Sequence, residues 1–434
     1  MVVKPSVRWK DLPGESEYAR RYRDVLSELE KAGKEVVALD DGDVVVYGHT
    51  NQPLSEFLVQ AAREGWHMYP DIGGWAPRLR NAICEFQKYY NGVYYSPDDL
   101  IFCGGVAGCW AVMHYTLLDP GDELVVIEPA HYLWGPSSYL YLFQSRVVTS
   151  RCIEEEDWEP DLEDLRRKIT DKTKGIVVVH PNNPTGAVYS DKALKEVISI
   201  AGEHDIPVLS DELYNQITWD GVEAKSVPAL AGDVPVVMMH GVSKLFMRPG
   251  WRFAYIAFHD PEGKIAEVEN VAKTFATLYG HQSKCIPLPI IVALTLAFEN
   301  ITEDRRLKQI SLPWRSVYRK FVPPTICAVR EMSRKLQRRS DFTFKRFKEM
   351  EGVSCTKAKG ALYCLPRVHA IGKTWKTDQE FVIDLLKEEG IHFQPGSFFG
   401  PSGSGHIRTI LTPEIEVLED AYNRLEKFIA RRTK

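Results

Sequence analysis

The sequence lacks the features that mark membrane, secreted and nucleic-acid-binding proteins. Its 434 residues contain no uninterrupted apolar run of the ~18 residues that a transmembrane helix needs. The first segment, MVVKPSVRWKDLPGES, has no apolar core of a secretory signal. The net charge of −5 predicts no general attraction to nucleic acid or to an anionic membrane. These absences favour a globular protein, and the length suits two or three domains.

The eight cysteines lack the CxxC pair that is typical of metal sites. They are scattered along the chain, many in apolar settings such as NAICEF and ALYCLP. We therefore expect reduced, buried thiols in a cytoplasmic protein, and no metal site.

Short apolar runs alternate with helical stretches from about residue 53 to 310. The runs are DLIFCGG, DELVVIEP, SRVVTS, GIVVVHP, IPVLSDE, VPVVMMHG and FAYIAF. Strands that are covered on both faces are almost entirely apolar. The alternation predicts an α/β domain with a mostly parallel, seven-stranded sheet sandwiched by helices. In such sheets, ligands bind beyond the carboxyl ends of the strands.

The two ends of the chain have a different character. SEYARRYRDVLSELEKAGKEVVALD predicts an amphipathic helix that ends near Gly33 and is followed by a strand. After residue 310, a basic helix, paired strands and two amphipathic helices predict a smaller α+β domain. The basic run REMSRKLQRRSDFTFKRFKEM favours a solvated helix face over a nucleic-acid site, because no aromatic platform accompanies it. The predicted domains are 1–52 (an N-terminal arm and part of the small domain), 53–310 (large) and 311–434 (small).

Two turn motifs follow predicted strands. The glycines of FCGGVAGCW, after Ile101, would expose backbone N–H groups at a helix N-terminus, where a phosphate binds, although a tight packing turn explains them equally well. HPNNPTG, residues 180–186, is a rigid polar turn. A plain turn remains an alternative, but the motif favours placing the Asn183 side chain over a ligand.

Charged side chains follow two further strands. Asp211 ends the strand IPVLS, where it would be a helix N-cap or the partner of a buried cation. In HGVSKLFMRPGWRF, Lys244 follows VPVVMM, and Arg252 lies eight residues later. A desolvated lysine forms Schiff bases with aldehydes, and a guanidinium binds a phosphate with two parallel hydrogen bonds. A lysine at a strand end is usually only solvated. The hypothesis of an aldehyde and phosphate site therefore rests on the combination of Lys244 with Arg252.

The motifs PNNPTG, SDELY, SK and GWR occur in the order and spacing of one known family. The chain resembles the fold-type I, pyridoxal 5'-phosphate (PLP)-dependent aminotransferases of class I/II, from YPDIGGWAPRLR to HIRTIL. The alanine-aminotransferase-like branch is the most similar, given DPEGK and GALYCLPR. The resemblance implies a PLP-dependent transferase-like fold and a homodimer.

The resemblance also implies roles for the residues that bind the cofactor. Lys244 would form the Schiff base and shuttle the proton, and Asp211 would pair with the pyridinium nitrogen. Asn183 and Tyr214 would bond the phenolic oxygen.

The phosphate of the cofactor would have its own set of residues. By the same resemblance, this set comprises Arg252, Ser243 and the backbone of Gly105, Val106 and Ala107.

The remaining implied roles concern the substrate and the neighbouring subunit. Arg408 would bind the substrate α-carboxylate, although without the resemblance it would be interpreted as a surface arginine at the start of a strand. Gly42 would line the substrate pocket. Tyr69 would reach the phosphate of the neighbouring subunit. His131 occupies the place of the aromatic residue that usually stacks on the cofactor ring, and Trp134 that of a common tyrosine near the substrate.

Three functions are compatible with these residues. The first is a transaminase that moves an amino group between an L-amino acid, such as alanine or aspartate, and a 2-oxo acid such as 2-oxoglutarate. The second is a PLP-dependent lyase, cyclase or oxidase on the same scaffold, since His131 and Gly241, where many members have serine, depart from the family pattern. The third, a non-enzymatic binding module, is disfavoured because a binder has no need of Lys244.

Overall fold

The seven apolar runs form strands of one sheet in a computed structural model of the chain, which describes residues 16–69, 72–131, 145–278, 286–309 and 325–433. Trp134, Cys285 and the first fifteen residues lie outside this part of the chain. The predictions made for them are therefore not addressed by the structure.

The strands fall into a long group in the middle of the chain and short pairs near its ends. They are β1 (Val37–Ala38), β2 (Leu100–Cys103), β3 (Glu123–Glu128), β4 (Arg146–Ile153), β5 (Glu159–Pro160), β6 (Thr173–Val179), β7 (Val208–Asp211), β8 (Val236–Gly241), β9 (Ala254–His259), β10 (Val353–Ser354), β11 (Tyr363–Cys364), β12 (Arg367–Val368), β13 (Ile391–His392), β14 (Gln394–Pro395) and β15 (Ile407–Ile410).

Helices connect most of the long strands and dominate both ends of the chain. They are α1 (Glu17–Lys31), α2 (Gln52–Arg63), α3 (Trp75–Phe86), α4 (Val106–Leu117), α5 (Leu162–Lys168), α6 (Asp191–Glu203), α7 (Val242–Leu245), α8 (Ala266–Leu278), α9 (Leu288–Gln309), α10 (Thr325–Glu349), α11 (Asp378–Glu389) and α12 (Ile415–Arg432). In the described ranges, no helix combines the length and the apolar character that crossing a membrane requires.

The main sheet has the strand order β2-β9-β8-β7-β6-β3-β4-β5. The strands from β8 through β4 in that order pair in parallel, whereas β2, β9 and β5 join antiparallel. The predicted α/β fold is confirmed, and each predicted run contains one strand. The additional strand, Glu159–Pro160, has two residues at the sheet edge and no apolar run by which the sequence could reveal it.

Helices cover both faces of this sheet because its strands are apolar on both sides. In β6, Val177 and Val179 pack with residues of α4 and α8. Ile176 and Val178, on the opposite face, pack with residues of α5 and α6. Helix α6 shows how such a helix is specified, since the Ser190 side chain accepts a hydrogen bond from the backbone of its first turn.

Short sheets join the two ends of the chain. Strand β1 pairs in parallel with β13, so Val37–Ala38 and Ile391–His392 lie side by side. Strand β11 pairs with β15, and β15 with β14. The pairing of β1 accords with the prediction that residues 1–52 contribute to the smaller domain, and the boundaries near residues 52 and 310 remain predictions.

Two details differ from the simplest expectation. The basic helix α10 is not solvated throughout: Arg339 is buried, donates to the carbonyl of Thr412 and pairs with Glu414 at 2.6 Å. The cysteines that the structure describes are free; four are buried, but Cys327 is exposed.

Candidate active site

A cavity of about 750 Å³ opens at the carboxyl ends of the central parallel strands. Val179 ends β6, Asp211 ends β7, and Lys244 follows β8 by three residues. The residues that line it are Asp40, Asp41, Gly42, Val106, Ala107, His131, Val179, Asn183, Asp211, Leu213, Tyr214, Ser243, Lys244, Pro249, Arg252, Tyr363, Gln394 and Arg408.

Lys244 lies on α7, a single helical turn that begins directly after β8. Its side chain is buried, and its Nζ donates to the carbonyl oxygen of Gly42 at 2.5 Å. Gly241, the last residue of β8, has no room for a side chain, because a Cβ there would lie 2.9 Å from the carbonyl oxygen of Phe253, the residue before β9. The close approach of these two backbone segments therefore favours glycine at position 241.

Asp211 is a buried carboxylate at the end of β7, with 4% of the residue exposed. One carboxylate oxygen accepts the backbone N–H of Leu213 at 3.2 Å. This bond leaves the carboxylate facing the same cavity as Lys244. The helix N-cap role that remained an alternative is not seen, because a turn rather than a helix follows β7.

The two asparagines of HPNNPTG have different roles. Asn182 holds the turn: its amide donates to the carbonyl of Pro129 at 3.0 Å, and its oxygen accepts the hydroxyl of Thr185 at 2.7 Å. Asn183 faces the cavity. Its amide donates to the Tyr214 hydroxyl at 3.4 Å, and its oxygen accepts Arg408 Nη1 at 3.1 Å.

Arg408 is buried on the central strand of the three-stranded sheet. Its Nη2 donates to the carbonyl of Asp40, and its guanidinium lies 4.5 Å from the ring centroid of Tyr363 and 4.9 Å from that of Phe399. Its Nε is buried and has no hydrogen-bond partner among the described residues. One face of this arginine is therefore fixed by protein groups, while one N–H remains available.

Gly105 and Arg252 form a cradle at the N-terminus of α4. Gly105 has a φ of 83°, a backbone conformation that residues with a Cβ rarely adopt. A Cβ at this position would lie 2.5 Å from Arg252 Nη2. The guanidinium therefore rests directly over the glycine backbone. The first helix residues, Val106 and Ala107, carry backbone N–H groups that have no partner within the helix. An arginine beside a helix N-terminus is a strong arrangement for binding an anion.

Comparison with known proteins identifies the scaffold. The family model described as aminotransferase class I and II matches residues 34–425. The chain belongs to this family. Glutamate-pyruvate aminotransferase AlaA of Escherichia coli K12 is 28% identical over 414 residues, which cover 93% of this chain and 92% of that protein. Aromatic-amino-acid aminotransferase 2 of Thermococcus litoralis is 30% identical over 383 residues, 88% of each chain.

Solved structures agree. An alanine aminotransferase from Pyrococcus furiosus has a TM-score of 0.84 and 37% identity, over 99% of this chain and 100% of that one. The resemblance inferred from the motifs, including its alanine-aminotransferase-like branch, is thus confirmed. The chain is a transaminase that acts between amino acids and 2-oxo acids, and its family implies PLP as the cofactor.

Nearly all the residues that the sequence implied come together in the aminotransferase cavity. Gly105 does not line the cavity, but its backbone lies against the guanidinium of Arg252, which does. Tyr69 does not line the cavity of its own chain and is 75% exposed, so its contact with a neighbouring subunit stays a prediction. Trp134 lies outside the described residues.

His131 lines the cavity as a neutral ring. Desolvation at this partly buried position, together with the charges of Arg408 and Lys244, lowers the pKa of His131 to about 3. The imidazole is therefore uncharged at neutral pH and can stack as an aromatic ring does.

Sequence reasoning missed several residues that line the site, and Tyr363 and Asp40 bear most on its chemistry. Tyr363 is buried, and its hydroxyl lies 3.1 Å from that of Tyr214. Burial raises the pKa of Tyr214 well above its usual value, so Tyr214 keeps its proton. The motif GALYCLPR contained Tyr363 but gave no sign of what it contacts.

Asp40 is the second of these residues. Its carboxylate lies 3.1 Å from His392 Nδ1, and His392 Nε2 lies 2.8 Å from the Tyr18 hydroxyl. Burial would raise the pKa of Asp40, but His392, a backbone hydrogen bond and the charge of Arg408 together outweigh burial and leave the pKa lowered. No local sequence pattern reveals this cluster of Tyr18, Asp40 and His392, because its members lie in α1, after β1 and in β13.

Proposed function

We propose that the cavity binds PLP and that the chain moves an amino group between an L-amino acid, such as alanine or aspartate, and a 2-oxo acid such as 2-oxoglutarate. One observation carries this proposal. Lys244, the Asn183–Tyr214 pair, Asp211 and Arg408 face a single cavity, beside an anion cradle at Gly105.

The cradle fits the phosphate end of the cofactor. The backbone N–H groups of Val106 and Ala107 would donate to phosphate oxygens at the helix N-terminus. The Arg252 guanidinium, over Gly105, would add a charge-assisted pair, and Ser243 would add a hydroxyl. Glycine at position 105 fits this assignment, because any side chain there would displace the arginine.

The middle of the cavity fits the pyridine ring. The buried carboxylate of Asp211 would meet the ring nitrogen and keep it protonated. The Tyr214 hydroxyl and the Asn183 amide would donate to the phenolic oxygen. His131 would stack on the ring as a neutral imidazole.

The far end of the cavity fits an α-carboxylate. Arg408 is held by Asn183, by the carbonyl of Asp40 and by two aromatic rings, and its buried Nε has no partner among the described residues. A substrate carboxylate would satisfy this N–H and neutralise a buried charge. The arginine would thereby orient the substrate toward Lys244.

When bound, PLP supplies the electron sink that makes the substrate Cα–H acidic. The protein supplies the proton transfer. Lys244 lines the cavity, and its Nζ would take the Cα proton and return it to the other reacting carbon. Its hydrogen bond to the Gly42 carbonyl shows where the amine can lie when it is not reacting.

The proposed substrate class rests on the relatives. The named relatives act on glutamate and pyruvate, alanine, or aromatic amino acids. Because every such substrate presents the same α-carboxylate to Arg408, the side chain decides among them. We propose alanine or aspartate as the amino-acid substrate, in accord with the alanine aminotransferases among the relatives.

The same proposal includes a homodimer in the cytoplasm. Tyr69 and the neighbouring Met68 are exposed on the single chain, and we propose that Tyr69 reaches the phosphate of the neighbouring active site. The free thiols of the described residues support a reducing compartment.

The reaction is tested with one amino acid and no acceptor. The PLP-loaded protein, mixed with alanine, should release about one equivalent of pyruvate per active site and then stop, because the amino group stays on the cofactor. Addition of 2-oxoglutarate should restart turnover. Continuous turnover without an acceptor would instead indicate a lyase or an oxidase.

The role of Tyr69 is tested by complementation. Lys244→Ala and Tyr69→Ala should each be impaired alone. If Tyr69 serves the neighbouring site, a mixed dimer has one site with both native residues, so refolding the two variants together should restore activity. If Tyr69 acts within its own chain, the mixture should show no recovery.

A further inference from the structure

Tyr363 touches the site from the side of the short three-stranded sheet. It lies on β11, which pairs with β15 so that Tyr363 is opposite Ile410 and close to Arg408. Its side chain is buried, with 3% of the residue exposed. Because β15 fixes Arg408 and β11 fixes Tyr363, the register of this sheet decides how the two side chains meet.

Four side chains form a closed ring of contacts. Arg408 donates to Asn183, Asn183 donates to Tyr214, and the Tyr214 hydroxyl lies 3.1 Å from that of Tyr363. The Tyr363 ring then returns to Arg408, 4.5 Å below its guanidinium. Each member therefore contacts two others, and displacement of one disturbs its neighbours on both sides.

We propose that Tyr363 is a positioning residue that couples the carboxylate-binding Arg408 to the Tyr214 hydroxyl. The inference rests on the proposed function, since it assigns these two groups to substrate and cofactor. The two ends of Tyr363 do different things. Its ring holds the guanidinium by a cation–π contact, and its hydroxyl acts on the oxygen of Tyr214.

The direction of the hydroxyl bond follows from the chemistry of Tyr214. The Tyr214 oxygen already accepts the Asn183 amide. If Tyr363 also donates to this oxygen, the Tyr214 proton stays available for a third group, the phenolic oxygen of the cofactor. Two incoming bonds also polarise Tyr214 and make it a stronger donor.

Gly42 restricts Tyr363 from the opposite side. A Cβ at Gly42 would collide with the Tyr363 hydroxyl, so the backbone of residue 42 lies directly against it. The carbonyl of Gly42 also accepts Lys244 Nζ at 2.5 Å. Tyr363 thus also supports the segment that contacts the lysine.

Two substitutions separate the two ends of Tyr363. Tyr363→Phe removes the hydroxyl and keeps the ring, whereas Tyr363→Leu removes both. Tyr422→Phe is the matched control, because Tyr422 is also buried and its hydroxyl bonds to Thr343 at 3.1 Å and to Thr409 at 3.4 Å, neither of which lines the cavity.

The measurements need no turnover. One is the binding of propionate, an unreactive carboxylate, to the holoenzyme by calorimetry. The other is the pH midpoint of the change in the visible absorbance of the bound cofactor. A weaker donor at the phenolic oxygen disfavours the deprotonated chromophore, so loss of the hydroxyl should raise this midpoint.

Tyr363→Phe should raise the midpoint by about half a pH unit or more and change propionate affinity less than about twofold. Tyr363→Leu should also weaken propionate binding about fivefold or more. The coupling is refuted if the pH midpoint of Tyr363→Phe equals the midpoints of the wild-type protein and of the Tyr422→Phe control. It is also refuted if Tyr363→Leu binds propionate as tightly as the wild-type protein does.

Failure of the proposed function would look different. If the wild-type protein binds no cofactor with a visible band, or if propionate does not compete with alanine, the site assignment itself is wrong and the coupling falls with it. If Tyr363→Leu does not fold, the midpoint of Tyr363→Phe alone decides the hydroxyl coupling.

Discussion

Replacing Arg408 with lysine tests the assignment of the substrate carboxylate most directly. The substitution keeps a positive charge on β15 and removes the planar fork. In the structure, the guanidinium uses one nitrogen for Asn183 at 3.1 Å and another for the carbonyl of Asp40, and its Nε remains for a ligand. An ammonium group cannot donate to Asn183, to the Asp40 carbonyl and to a substrate carboxylate in one plane, as a guanidinium can.

The magnitude follows from the bonds at risk. A hydrogen bond to a charged group contributes roughly 1.5–3 kcal/mol, and lysine should lose at least one such bond to the substrate. This loss corresponds to a decrease of about 10- to 150-fold in kcat/KM. Because the carboxylate is held both before and during proton removal, we expect the apparent substrate constant to rise and the rate constant to fall.

The assay is a rapid-mixing half-reaction with alanine, followed through the visible absorbance of the cofactor. Arg166→Lys is the matched control, since Arg166 is exposed and pairs with Glu203 far from the cavity. Cofactor affinity should hardly change in either variant. If Arg408→Lys reacts with alanine as readily as the control, the carboxylate is bound elsewhere and the assignment is wrong.

Three further substitutions probe the lysine, the phosphate cradle and a partly exposed ion pair. Lys244→Ala should abolish transamination and leave the circular dichroism spectrum unchanged, so activity within a few-fold of wild type would contradict its role. Arg252→Ala should weaken PLP binding roughly tenfold or more, measured by retention after dialysis, with a smaller effect on the reaction of the loaded enzyme. Glu154 bonds His406 and Arg367; burial would raise its pKa, but these bonds lower it to about 2. Because the pKa of Glu154 is lower in the folded protein than in the unfolded chain, its carboxylate stabilises the fold fully at a pH above the ordinary pKa of glutamate. This stabilisation is lost as the pH falls toward 2. Between about pH 6 and pH 2, the free energy of unfolding should therefore fall about 1–3 kcal/mol more in wild type than in Glu154→Gln, and equal losses would refute the pairing.

The parts of the site that follow strands were predictable from the sequence. Asp211 ends one short apolar run and Lys244 closely follows another, and the carboxyl ends of parallel strands must meet at one edge of the sheet. Arg408 required the family motif, since nothing in its neighbourhood distinguishes it from a surface arginine. Which asparagine of HPNNPTG faces the cavity depends on Pro129 and Thr185, and only the folded chain brings Pro129 next to Asn182.

The missed residues share a physical cause. Tyr363 meets Tyr214 across 149 positions of sequence, and His392 meets Tyr18 across 374. Local periodicity describes one strand or helix at a time and carries no information about such pairs. The short strand β5 escaped for the opposite reason, because two residues are too few to show a period.

The hydrogen bonds that build the cavity span unusually long stretches of chain. Arg408 reaches Asn183 across 225 positions and Asp40 across 368, and Lys244 reaches Gly42 across 202. Contacts of such high contact order form late in folding, because the entropy of closing long loops must be overcome first. During synthesis, the sheet that carries Lys244 is complete well before Arg408 leaves the ribosome. The nascent protein should therefore acquire its cofactor cradle before its carboxylate site.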